Sequence, residues 1–139
     1  MTVRRPPAGL IALSIFFAFG AAMSGVTAIL LLVSGSPLDA IWKLNPVARD
    51  QLARIGLWAI ALMGSVCFAC AAAAIGLWKR APWGHRIAIG VLVVNLIGDI
   101  ASAILRSDPR TLIGVPIGGA MIAYLLSRRV RSTFGPRTN

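Results

Sequence analysis

The chain has 139 residues, of which 58% are hydrophobic and only 13% charged, with a mean hydropathy of +0.82. A soluble domain of this length carries about a quarter of charged residues, so the composition excludes an ordinary water-soluble enzyme and leaves room for one small domain. The net charge of +10 would point to nucleic acid in a soluble protein. Here the basic residues sit at the ends of apolar segments, which assigns them to lipid headgroups instead.

Residues Gly9 to Val33 hold no charge across 25 positions. That is more than the roughly 20 residues needed to cross about 30 Å of hydrocarbon, and longer than the apolar part of a cleaved signal peptide. A first retained span is therefore expected over about 9–33. The connection from Ser34 to about Arg54 is the longest. Ser36-Pro37 opens a short interfacial helix in which Trp42 and Leu44 would face inward. Asn45-Pro46 then sets a capping residue before a first-turn proline. The helix begun there is expected to run on through Arg49, Asp50 and Arg54 into a second span over about 55–78.

A tight turn, Lys79-Arg80-Ala81-Pro82, leads to a third span over about 83–105. Ser107-Asp108-Pro109 repeats the cap-and-proline start, so a fourth span is expected over about 109–127. Arg128-Arg129-Val130-Arg131 stops it, and the polar tail beyond is expected to fray. The fold class is thus an all-α membrane protein: a single domain, 1–139, of four transmembrane helices with short loops.

Orientation follows from charge. Arg4, Arg5, Lys79, Arg80, Arg86, Arg128, Arg129, Arg131 and Arg137 put nine basic residues on one side. Lys43, Arg49, Arg54, Arg106 and Arg110 put five on the other, diluted by Asp39, Asp50 and Asp108. The positive-inside rule places the nine, and with them both termini, in the cytoplasm. Trp78 and Trp83 mark the inner interface, Trp42 and Trp58 the outer one. The expected location is the inner membrane of a bacterium.

Helices gain little from the hydrophobic effect inside lipid, so close backbone approach at small residues supplies their packing. Ser14, Ala18, Ala21, Gly25 and Ala28 make one small-residue stripe, and Ala61, Ser65, Ala69, Ala72 and Gly76 a second. Gly114 and Gly118 make a G-x-x-x-G pair. These stripes line the bundle interior or a seam with another subunit, either a second copy or a larger complex.

Asp99 is the one acid within a span. Asn95 and Ser102, at i−4 and i+3, share its face, with Arg106 one turn further on. A carboxylate at that depth costs several kcal/mol unless it is paired, protonated or in a wet cavity. Two readings stay open: a polar clasp between helices, or a proton- or ion-linked site. Pro116, among Gly114, Gly118 and Gly119, is expected to kink the fourth span at similar depth.

Cys67-Phe68-Ala69-Cys70 resembles the C-x-x-C of four-helix membrane enzymes that move electrons between thiols and quinone, the disulfide-forming and vitamin K epoxide reductase families. That resemblance implies a thiol–quinone oxidoreductase. The departures are the mid-span position of the pair and the lack of a second cysteine pair to relay electrons. Buried thiols in apolar surroundings are inert packing groups. His85, the only histidine, has no companions at metal-ligand spacing and is expected at the inner headgroups. No metal site and no cofactor are expected.

Three functions remain: an accessory, assembly or structural subunit of a membrane complex, the leading reading; an oligomeric small-solute or proton-coupled transporter centred on Asp99; and the thiol–quinone oxidoreductase. Dual-topology carriers need balanced charge, and nine against five argues against that mode. The expected partners are the bilayer itself, anionic lipids meeting Arg128, Arg129 and Arg131 at the cytoplasmic face, and other membrane subunits. Nucleic acid is not among them.

Overall fold

The computed structural model describes residues 7–35, 37–106 and 113–134, without the side chains of residues 102, 105 and 106. All regular structure among these residues is helical. In chain order come α1 (Ala8–Leu32), a 3₁₀ helix (Pro37–Leu44), α2 (Pro46–Ile55), α3 (Leu57–Trp78), α4 (Pro82–Arg106), α5 (Gly114–Leu126) and α6 (Arg128–Phe134). Three of these, α1, α3 and α4, are long and apolar enough to cross a membrane. This is an all-helical membrane protein. α5 is apolar but short, 13 residues or roughly 20 Å at 1.5 Å per residue. The expected start of a fourth span at Pro109 lies outside the described residues.

α3 packs along α1 and against α4, and α4 packs against α5. The largest buried cluster lies toward one end, with Leu30, Trp42 and Ala59 buried apart from it. The cluster consists of Leu10, Leu13 and Phe17 from α1, Cys70, Ala73 and Leu77 from α3, Ala88 and Leu92 from α4, Leu125 from α5 and Val130 from α6. Those are the first turns of α1 and α4 and the last turns of α3 and α5, so the helices alternate in direction. Lys79, Arg80, Arg86, Arg128, Arg129 and Arg131 lie at this same end, termed the basic end below.

The α3–α4 connection is built for closeness. α3 ends in a Schellman motif, with the Ala81 N–H donating to the Gly76 carbonyl at 2.8 Å and the Arg80 N–H to the Leu77 carbonyl at 3.1 Å. Arg80 takes the left-handed position, φ 54°, that glycine ordinarily fills. The turn brings Gly76 and Gly84 together backbone to backbone: a Cβ on either would overlap the Cα of the other.

The second span, Leu57–Trp78, agrees with the expected bounds, but the helix begun at Pro46 does not run on into it. Asn45 caps α2, its side-chain carbonyl accepting the Ala48 N–H at 3.1 Å, with Pro46 in the first turn. The helix then stops at Gly56, whose φ of 55° and ψ of −128° suit only glycine. α2 is therefore separate from α3. Charge explains the division: α2 carries Arg49, Asp50 and Arg54, whereas α3 has no charged residue over Leu57–Trp78. The 3₁₀ helix before it turns Trp42 inward, 8% exposed, but Leu44 is 86% exposed and faces out. A 3₁₀ helix has three residues per turn, so positions two apart cannot share a face. Asp39 secures the connection, accepting from the Gly35 N–H at 3.0 Å and from Arg49 at 3.4 Å.

A short helix follows α5, and the tail beyond Phe134 that was expected to fray lies outside the described residues. Ser127 leaves the helix at ψ 144°, and α6 folds back with Val130 fully buried.

Candidate functional site

α4 carries the polar residues on its core-facing side. Ala88, Leu92, Asn95 and Asp99 are spaced i, i+4, i+7 and i+11, which keeps them on one helical face. Ala88 and Leu92 are buried, Asn95 is exposed and Asp99 half-buried. The face is continuous, but its first two residues are packed in the core, Asn95 opens onto a cavity and Asp99 lies against α5.

Asn95 lines a cavity of about 310 Å³ between α1, α3 and α4, with Phe17, Ser24 and Thr27 on one wall and Met63 and Cys70 on another. The hydroxyls there are already used within their own helix. Ser24 Oγ donates to the Gly20 carbonyl at 2.7 Å and Thr27 Oγ1 to the Met23 carbonyl at 2.8 Å. The Asn95 amide is thus the open polar group of that cavity among the described residues.

Asp99 turns toward α5. A Cβ built on Gly114 would lie 2.7 Å from Asp99 Oδ2, so glycine is what admits the carboxylate beside the helix. Gly114 opens α5, and the positive end of a helix dipole favours a carboxylate beside it. One turn on, Gly118 meets Leu96. Pro116 is the third described residue of α5, Gly114–Leu126, and the chain before Ile113, which a kink would involve, lies outside the described residues. It lines a different space, an apolar slot of about 510 Å³ between α1 and α5, with Ala12, Leu13, Ile117, Ala120, Met121 and Tyr124. Asn95, Asp99 and Pro116 therefore do not converge on one pocket. The side chains of Ser102 and Arg106 lie outside the described residues.

The remaining packing positions divide. Ser14 is buried and donates to the Leu10 carbonyl at 3.0 Å. Gly25 faces Cys67 and Gly20 faces Cys70, with Sγ atoms 3.1 and 3.6 Å from the positions their Cβ atoms would occupy. Each thiol thus fills a notch on α1. Ala18 is exposed on the outer surface. A methyl group on Gly64, Gly90, Gly98 or Gly119 would meet nothing within 4 Å.

His85 departs from expectation. Instead of reaching headgroups, its Nε2 lies 2.8 Å from the Leu125 carbonyl, and its ring stacks at 4.8 Å on Phe134. A carbonyl only accepts, so Nε2 carries the proton. The signal was present in the sequence: His85, Ala88 and Leu92 are spaced i, i+3 and i+7, which puts His85 on the core face. Tyr124 was missed for want of such a signal; its ring closes over Gly9 and joins α5 to α1. Arg128, Arg129 and Arg131 are exposed on α6. No protein-family model, curated protein or solved structure matches the chain.

Proposed function

We propose that this protein crosses the inner membrane four times with its basic end in the cytoplasm, and that it serves as an accessory subunit receiving a helix of a membrane complex. One observation carries the reading: α1 and α5 meet at Gly9 and Tyr124 and then diverge. About two and a half turns of α5, from Pro116 to Tyr124, line the slot, but α1 contributes only Ala12 and Leu13. The fourth side of the bundle is left open. The slot is apolar and flanked by small residues, Ala12 and Ala120, which suit close approach of a helix backbone. The open glycines on α3, α4 and α5 support further contact faces of the same kind. The four-span reading is supported by the return of α5 to the basic end, where Leu125 meets His85 from the start of α4.

The packing of Cys67 and Cys70 against glycines of α1 favours a structural role for the pair over thiol–quinone chemistry. A carrier centred on Asp99 is the second reading, and the cavity at Asn95 one turn away favours it. Asp99→Asn separates the two. The subunit reading predicts unchanged assembly and abundance, whereas a carrier would lose transport with the fold intact.

The direct test is a photoreactive residue placed in native membranes at Ala120, inside the slot, or at Ile15, exposed on the outer face of α1. A discrete protein adduct from Ala120 and none from Ile15 is expected. Lipid adducts alone at both positions would overturn the proposal. An adduct with a second copy would make the complex a homo-oligomer.

A further inference from the structure

The break at Ser127 leaves carbonyls of the last turn of α5 without helical partners. His85 donates to one of them, that of Leu125, and stacks on Phe134 seven residues beyond the break. With Val130 buried and Phe134 half-buried, α6 is fixed to the end of the bundle by its apolar side. At 100° per residue Val130 and Phe134 lie within about 40° of each other, while Arg128, Arg129, Arg131 and Ser132 spread over the opposite side. All four are exposed. An interfacial helix ordinarily turns its apolar face to the lipid. In α6 that face is taken up by the protein, and the cationic face looks outward.

We propose that α6 is a preset cationic platform for the anionic phospholipid headgroups of the leaflet at the basic end, with His85 as the residue that positions it. Charge complementarity carries the choice of partner. Arg128–Phe134 holds three arginines and no acid, and the four aspartates of the chain, Asp39, Asp50, Asp99 and Asp108, all lie in segments remote in sequence from it. Arginine binds phosphate oxygens in bidentate fashion. Trp78 and Trp83, 70% and 46% exposed at the same end, mark the depth at which headgroups begin. α6 follows α5 with Ser127 alone between them, so its arginines are held at that depth.

The test uses full-length protein carrying Trp42→Phe and Trp58→Phe, leaving Trp78 and Trp83 as reporters. It is reconstituted in phosphatidylcholine vesicles containing a minor share of either brominated phosphatidylglycerol or brominated phosphatidylcholine. Stronger quenching by the glycerol lipid, several-fold and falling as salt is raised, is expected. Arg128→Gln/Arg129→Gln/Arg131→Gln should reduce the preference severalfold, leaving the share held by Lys79, Arg80 and Arg86 beside the reporters, and the corresponding triple lysine variant should keep most of it. His85→Ala should weaken it, and His85→Gln, which retains an N–H for the Leu125 carbonyl, should restore part. Equal quenching in the parent protein, or an undiminished preference in the glutamine variant, would overturn the platform. An undiminished preference in His85→Ala would overturn the positioning role.

Discussion

Gly76 and Gly84 show most directly how single residues set this structure. Their contact is backbone on backbone, so a methyl group has nowhere to go. Gly76→Ala or Gly84→Ala should cost about 1–3 kcal/mol or more, the usual range for overpacking a filled interface. Gly64→Ala, Gly90→Ala and Gly119→Ala meet open space, and each should be neutral or stabilising by up to about 1 kcal/mol from helix propensity in the isolated protein. Thermal unfolding in detergent separates the two groups. Equal losses in both would mean that the α3–α4 contact is looser than described. Gly114→Ala should likewise destabilise by displacing Asp99, and Asp99→Ala in the same chain should recover much of the loss. Such residue-scale pairings were only half legible in the sequence. The small residues could be picked out by their spacing, but spacing treats Ala18, exposed, and Gly76, buried, alike. Which stripe meets which helix depends on tertiary direction.

At the scale of elements, the breaks decide the architecture. A continuous helix from Pro46 to Trp78 was the natural expectation, because Asn45-Pro46 is a strong start and nothing between forbids a helix outright. Gly56 ends it through a backbone conformation that a glycine permits but does not announce. Gly56→Ala should cost about 1–3 kcal/mol if the break is kept. A spin-label pair on Ala53 and Ile60 would report a helix that straightens instead. Asn45→Ala removes the cap on Ala48 and should cost about 1 kcal/mol of α2 stability, visible as faster amide exchange in α2. His85 was legible as a core position by its spacing with Ala88 and Leu92. Its role as a donor to Leu125 was not, since that carbonyl is free only because Ser127 ends α5.

For the molecule as a whole, the largest buried cluster lies at the basic end, and among the described buried hydrophobic residues only Leu30, Trp42 and Ala59 stand apart from it. Asn95 and Asp99 continue a buried face beyond that cluster yet are themselves open or half-open. Composition made the helical membrane class plain, since long uncharged segments admit little else. The open side could not be read from it, because a lipid-facing residue and a partner-facing residue are equally apolar. The account requires α5 to return across the membrane, which puts Ser132 and Lys79 on one side and Ala40 and Ser107 on the other. Single cysteines at these four positions, in a chain with Cys67→Ala and Cys70→Ala, can be tested with an impermeant maleimide on intact cells. The prediction is labelling at positions 40 and 107 without permeabilisation, and at 79 and 132 only after it. Labelling at position 132 on intact cells, with 79 still protected, would leave three spans and contradict the account.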